Sequence, residues 1–345
     1  MPTNGGSKPI EAIFKEIEEA QVSSSVQSGV VYRRIHPNSS CDLFVGIRKP
    51  LNTRLFVARF HVSAIPDVFD LPEFRSLEVI VHREFEGDTE MLTATISSPQ
   101  TVWNDIFTSL GEDIARAVSN ASEESGAANA FRRRLQQWQV LLQRTGTAGL
   151  TVEQQQGLYG ELWCLRELLL PHLEPEVAVR AWLGPESADQ DFQFVSGVAV
   201  EVKTTRSAEP QTLAISSERQ LDDASWKALF ILHISLDRAH GAGETLPQAI
   251  DALTSMLAFT PGALAAMQDK LLTAGYLDLH TDRYRDVGYT IHTTHIYRVF
   301  DGFPRIVESD LAPGVGHVRY VISAAACLPF TANIETVAAE IKDTP

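Results

Sequence analysis

At 345 residues, 44% hydrophobic and 21% charged, the chain is long enough for two or three compact units. Its formal charge of −15 argues against unaided binding to duplex DNA, whose non-specific affinity comes mainly from lysine and arginine. No apolar run spans a bilayer, the first residues lack a signal-peptide layout, and Cys41, Cys164 and Cys327 form no CxxC pair; the expectation is a cytoplasmic protein with no membrane partner and no cysteine-built zinc site.

Hydrophobic periodicity predicts a helix over Ile10–Ala20. Alternating strands follow at Val30–Ile35, Asp42–Ile47, Arg54–His61, Leu77–Arg83 and Met91–Ser97, a pattern that reads as an antiparallel accessory sheet. Two helices, Val102–Asn120 and Ala128–Arg144, complete a β-rich region assigned to residues 1–148, and Thr145–Leu150 is the expected boundary. A second unit, 149–240, opens with a helix at Val152–Leu170 that Pro171 stops. It continues through a hairpin from Asp191, a strand at Leu213–Ser216, a short helix from about Glu218 and an apolar strand at Leu229–Leu236. After a Gly-rich loop at Arg238–Glu244, residues 241–345 carry helices at Leu246–Ala258 and Pro261–Ala274 and strands near Gly288–Val299 and His317–Ser323. That last part reads either as a winged-helix-like module or as an extension of the preceding sheet. The fold class expected is α/β of the α+β kind, a mixed sheet flanked by helices behind an antiparallel N-terminal region.

The densest chemistry lies in Asp191-Phe-Gln-Phe-Val-Ser-Gly-Val-Ala-Val-Glu201-Val-Lys203. Period two puts Phe192, Phe194, Val198, Val200 and Val202 on one side and Asp191, Gln193, Ala199, Glu201 and Lys203 on the other. A three-residue loop, Val195-Ser196-Gly197 with glycine left-handed, sets Asp191 opposite Glu201 and pairs Phe192 with Val200. Two carboxylates then face each other at roughly 5 Å between Cβ atoms, where like charges repel. A cation between them accounts for the pair, and oxygen-only ligation points to a hard ion such as Mg²⁺, for which Mn²⁺ can substitute. Lys203 on the same face can orient a water or neutralise a phosphate oxygen. Acid, acid and lysine around a hard metal suit hydrolysis of a phosphodiester.

Glu161 falls inside the apolar stripe of Leu158, Leu162, Leu165, Leu168 and Leu169, where an unpaired carboxylate is costly. It is read as a third acid aimed at the Asp191/Glu201 face, against the plainer reading of a helix-edge glutamate. Asp189 competes with Asp191 because the same register sets it opposite Lys203, although a structural or turn role suits it better. Ser217-x-x-Gln220 fits a helix capping box; the functional alternative has Gln220 contacting substrate or a metal-bound water. Thr204 and Thr205 can donate to a phosphate, although threonine pairs in strands are ordinary. Arg133, with Arg132, Arg134 and Arg144 and the upstream Arg33, Arg34, Arg48, Lys49, Arg54 and Arg59, makes either a basic patch or a set of solvated faces. His292 and His295 should point to opposite faces of a strand. There is no Walker A loop, GxGxxG or GxSxG.

An Asp followed by Glu-x-Lys on the next strand resembles the PD-(D/E)XK nuclease superfamily, with Gln190 where the proline usually stands. The likeness extends through Gly157-Leu-Tyr-Gly-Glu-Leu162, Trp182-Leu-Gly-Pro185, Ser216-Ser-Glu-Arg-Gln-Leu221, Phe303-Pro-Arg-Ile306 and Val318-Arg-Tyr320. From about the first strands to Phe330 the chain is similar to a bacterial family of PD-(D/E)XK motif proteins. The resemblance implies a restriction-endonuclease-like core and magnesium held by acidic groups. It gives Asp191, Glu201 and Glu161 as metal ligands and Lys203 as the group that supports water or phosphate. It also implies a DNA endonuclease in restriction or anti-phage gene neighbourhoods, beside ATPase and methyltransferase subunits. One active site per chain would favour a homodimer for double-strand cutting. The alternatives are a non-cleaving interaction or DNA-recognition subunit that works with an ATPase, and an RNase on the same core.

Overall fold

The structure is a computed structural model that describes residues 8–22, 28–66, 69–74, 76–145 and 149–342. The chain divides into two compact units, 1–148 and 149–345. Among the described residues no helix is long and apolar enough to cross a membrane.

In the first unit, α1 (Ile10–Val22) precedes five strands: β1 (Gly29–Ile35), β2 (Asp42–Lys49), β3 (Thr53–His61), β4 (Glu78–Glu86) and β5 (Thr89–Ser98). They form one antiparallel sheet in the order β1-β2-β3-β5-β4. Helices α2 (Asn104–Ser119) and α3 (Glu124–Thr145) follow. Alternation sends Phe56, Ala58 and Phe60 of β3 inward, where Phe60 meets Phe131 edge to face at 5.7 Å. Arg54, on the same inward row, is 5% exposed. It pairs with Glu11 and Glu18, donates to the Thr108 hydroxyl at 2.8 Å and lies 4.5 Å from the centroid of the Phe14 ring. A buried guanidinium is tolerated there because it is paired and stacked.

Three more of the basic residues anticipated as a patch are likewise committed to carboxylates. Arg34 pairs with Asp42, Arg59 with Glu84 and Glu86, and Arg134 with Asp113. Paired in this way, these three arginines are tied to neighbouring carboxylates. The side chain of Arg144 lies outside the described set.

The second unit opens with α4 (Val152–Trp163), whose N-terminus is closed by a reciprocal capping box between Thr151 and Gln154. The helix continues as a π-helical turn, Cys164–Leu169, so the single predicted helix changes pitch after Glu161 and Leu162. A short helix missing from the sequence reading, α5 (Pro175–Ala181), leads into β6 (Phe192–Gln193), β7 (Val198–Arg206) and β8 (Thr212–Ile215). Then come β9 (Ala228–His240), β10 (Glu244–Thr245), α6 (Leu246–Met256), α7 (Pro261–Ala274), α8 (Thr281–Tyr284), β11 (Val287–Val299), β12 (Tyr320–Ser323), α9 (Ala324–Cys327), β13 (Thr331–Ala332) and α10 (Ile334–Lys342).

The main sheet runs β10-β11-β9-β7-β6, with β13 also paired to β11. It is mixed, because β7 lies parallel to β9 while its other pairings are antiparallel. The fold is therefore of the mixed α/β class with a separate antiparallel N-terminal sheet. Strand β11 adds to β9, so this C-terminal segment extends the sheet. One face, with Val198, Val200, Val202, Phe230, Leu232 and Ile234, packs on α4, α5, α6 and α7. The other, with Ala199, Leu229, Ile231, Tyr297 and Val299, packs on Leu213, Ile215, Leu221, Phe303 and Ile322. Glu201 and Lys203 emerge on this second face, at the border of its apolar cluster.

Candidate active site

The hairpin that carries the acids has the register expected from its alternation. Phe192 pairs with Val200 and Gln193 with Ala199. The Phe194 N–H donates to Val198 O at 2.9 Å and the Gly197 N–H to Phe194 O at 3.0 Å, while Gly197 has φ 81°. Only glycine takes that left-handed position without strain. The loop is Val195-Ser196-Gly197, and the register continues to place Asp191 beside Glu201.

Around Glu201 the contacts close into a ring. Its carboxyl, 2% exposed, pairs through Oε1 with Lys203 Nζ at 2.7 Å. Gln220 Nε2 donates to the same Oε1 at 2.8 Å. Gln220 Oε1 accepts in turn from Lys203 Nζ at 3.1 Å and from the Ser216 N–H at 2.8 Å. One amide thus holds both ends of the acid–lysine pair, and a backbone N–H holds the amide. Glu201 Oε2 is buried and, among the described residues, accepts no hydrogen bond, although the Asp191 backbone N–H lies close enough to favour its charged form.

Asp191 is anchored from another side. Its Oδ2 accepts from the Val202 N–H at 2.8 Å, and its backbone O accepts from the N–H groups of Leu183 and Gly184 at 2.7 and 3.0 Å. The same loop supplies Trp182, whose Nε1 donates to Glu161 Oε2 at 2.6 Å. Lys270 fastens this loop from below, donating to the Trp182 carbonyl and to Glu186. At Gly184 an added Cβ would stand 2.6 Å from Glu161 Oε2 and 2.7 Å from Asp191 Oδ1. The glycine therefore leaves those two oxygens facing one small space.

Withdrawal from water, and then the charge of Glu161, pushes the Asp191 carboxyl up to about 8. Burial, followed by the charge of Asp191, pushes Glu201 up to about 8. Burial pulls the Lys203 ammonium down, but Glu201, Asp191 and Glu161 outweigh it and hold the group above its ordinary value. The lysine is thereby favoured as a charged donor, while burial and mutual repulsion disfavour ionisation of the two acids.

The residues fit a hard divalent cation. The donors are all oxygen, one of them is buried without a partner, and two more converge at Gly184. Among the described residues no group of three or more His, Cys, Asp or Glu side chains is placed to hold a metal ion, so the fit rests on the Glu201 oxygen and on the pair of oxygens that meet at Gly184.

Other anticipated residues fall elsewhere. Glu218 begins a turn rather than a helix, so the capping-box reading of Ser217 and Gln220 fails: Ser217 Oγ accepts from the Arg219 N–H at 3.0 Å, which frees Gln220 for the ring. Thr204 lies on the opposite face of β7, where its hydroxyl accepts from Gln156 at 3.3 Å and its methyl packs over Gly160. Thr205 occupies the site face and meets His233 Nε2 at 2.8 Å. Asp189 is exposed in the preceding bend, and Lys203 pairs with Glu201 instead. Arg133 is exposed on α3 of the first unit, and none of these contacts involves it. His292 meets Asp237 at 2.9 Å while His295 lies against His233, so each histidine has its own partner. Trp182 and Gly184 went unassigned in the sequence reading. Their only signal is the short Trp-x-Gly-Pro run upstream of Asp191.

A family profile described as "Putative PD-(D/E)XK family member, (DUF4420)" matches residues 10–325. No curated protein and no solved structure matches the chain.

Proposed function

This chain belongs to the DUF4420 family of PD-(D/E)XK type, and we propose that it is a divalent-metal-dependent endonuclease that hydrolyses phosphodiester bonds in DNA. The observation that carries this reading is the ring of Glu201, Lys203 and Gln220 beside Asp191, with one buried oxygen of Glu201 left unpartnered. Asp191, Glu201 and Glu161 would hold the ion, Mg²⁺ with Mn²⁺ as a substitute. When bound it supplies Lewis acidity at the attacked phosphate and lowers the pKa of water.

The protein's own groups do the rest. Glu201 and Gln220 hold the Lys203 ammonium on the site face, where it donates to a phosphate oxygen or to the attacking water and offsets charge as it develops. Gln220 carries no charge, so it fixes that geometry without drawing the proton from the lysine. Trp182 and the Asp191 backbone hold Glu161 and the Gly184 loop in place, which limits reorganisation during the reaction.

The −15 charge favours delivery of DNA by a partner, and the chain fits a subunit of a restriction or anti-phage assembly with ATPase or methyltransferase subunits. Plasmid nicking by the purified chain with Mg²⁺ or Mn²⁺, beside Lys203→Ala and an EDTA control, tests the reading. Metal-dependent nicking lost in the variant supports it. A wild type that stays inactive, alone and with its neighbouring subunits, favours the non-cleaving recognition subunit instead.

A further inference from the structure

The turn that presents Gln220, residues 218–221, is closed only weakly by its own backbone. The Gln220 N–H donates to Ser217 O at 3.2 Å and the Asp222 N–H to Arg219 O at 3.3 Å, both long for such bonds. Side chains from two distant segments take up its carbonyls instead. Gln190 Nε2 donates to Arg219 O at 2.9 Å and to Gln220 O at 3.3 Å. Arg305 donates to Leu221 O at 2.8 Å and pairs with Asp223 at 2.9 Å. The carbonyls of 219, 220 and 221 are thus all held from outside the turn.

Of these two anchors, Gln190 is the one that adjoins the acids. It directly precedes Asp191 and is 3% exposed. Its amide can stand only one way round, because a carbonyl oxygen accepts and never donates. Two such oxygens face Nε2, and Gln193 Nε2 donates to Oε1 at 3.2 Å. A proline, the residue that usually precedes the Asp in this motif, could make none of these side-chain bonds.

The two halves of the site therefore meet through one side chain. Asp191 is fixed at one end by the bond from the Val202 N–H. Gln190, its neighbour in the chain, holds the turn. The turn sets the Gln220 amide, which bonds both Glu201 Oε1 and Lys203 Nζ. A role in packing alone would be met by an apolar side chain of the same volume, without the cost of withdrawing an amide from water.

We propose that Gln190 is a positioning residue: it ties the chain entering β6 at Asp191 to the turn that carries Gln220, and so fixes the metal-holding acid relative to the Glu201–Lys203 pair. The proposal rests on reading the site as a divalent-metal nuclease centre and adds the link that keeps its halves in register. Gln190→Met keeps the volume but gives up both donated bonds. The turn then relaxes, and the Gln220 amide moves away from Glu201 and Lys203.

The test is a double-mutant cycle of Gln190→Met and Gln220→Ala in the full chain. Three quantities are read: Mn²⁺ affinity by calorimetry without nucleic acid, kcat and KM for nicking with Mg²⁺, and melting temperature in EDTA. Gln190 bonds the backbone carbonyl of Gln220, which the alanine substitution leaves in place. The fold should therefore lose the same few degrees to Gln190→Met in either background. The site should not. With Gln220 present, Mn²⁺ affinity and kcat should fall about tenfold at unchanged KM, as for loss of an outer-shell partner. In the Gln220→Ala background the further loss should be less than about twofold, since Gln190 acts through the missing amide. Gln190→Leu guards against a misfit of the longer side chain and should give the same cycle. Equal losses in both backgrounds, or wild-type Mn²⁺ affinity and kcat in Gln190→Met, overturn the proposal and leave the nuclease reading standing. A wild type that binds Mn²⁺ without nicking counts against the nuclease reading, and the calorimetric cycle then decides the role of Gln190 by itself. A wild type that binds no Mn²⁺ overturns both.

Discussion

Glu201 and Lys203 are two residues apart on one face of one strand, and they form a 2.7 Å ion pair whose open side is closed by a single amide, that of Gln220. In ordinary use an exposed pair of this kind contributes little. Here the acid is 2% exposed, and its other oxygen accepts no hydrogen bond among the described residues. A buried carboxylate left half satisfied costs stability, which makes sense where a cation completes it.

Gln220→Ala removes the acceptor for Lys203 and the donor to Glu201 together. Metal-dependent nicking should fall by about 10- to 100-fold, mainly in kcat, the scale seen when a group supporting a metal site is lost. Gln220 sits in a turn that the Ser217 hydroxyl also supports, so the melting temperature should move by only a few degrees. Steady-state kinetics beside thermal denaturation would check both halves. Equal loss in the two measurements would mean that the residue only supports the fold.

Gly184→Ala places a methyl group against Glu161 Oε2 and Asp191 Oδ1. The oxygens must part, and Mn²⁺ affinity should drop at least about tenfold, a disturbance of the size expected for outer-shell changes. Calorimetric titration with Mn²⁺ reads this without any nucleic acid. Wild-type affinity in the variant would show that these two carboxyls do not share an ion.

The acids also impose a pH dependence. Asp191 and Glu201 are both raised to about 8 when folded. An unfolded carboxyl titrates at about 4, so between these values the folded state holds more protons than the unfolded one. The stability from this pair is fully present below about pH 4 and is lost as pH rises toward 8. In EDTA, urea midpoints of the second unit should therefore decline over that range. Asp191→Asn should flatten the decline, and Mg²⁺ should offset it at the alkaline end by favouring the ionised forms. A wild-type profile unchanged by the substitution would remove Asp191 from the coupled pair.

Arg54→Ala tests the first unit. It strands Glu11 and Glu18 and removes the cation over Phe14, contacts that tie α1 to the sheet. Because both glutamates are more than a third exposed and can be solvated, the loss is that of the guanidinium's own bonds and packing, about 1.5–3 kcal/mol. Urea denaturation should show that loss, while Arg54→Met, which keeps the packed stem, should lose less.

What the sequence determined by itself was local. Alternation of period two with one glycine specified the hairpin, its three-residue loop and the pairing of Phe192 with Val200. The same rule already turned Thr204 away from Lys203, and its assignment to the substrate ignored that. The apolar stripe on α4 likewise marked Glu161 as misplaced for a solvent-facing residue. Only the tertiary structure decided the rest, because it depends on segments distant in sequence. A turn, not a helix, lets Gln220 reach back across 17 residues to Lys203. The Trp182–Gly184 loop folds over Asp191 through backbone bonds that no side-chain pattern reports.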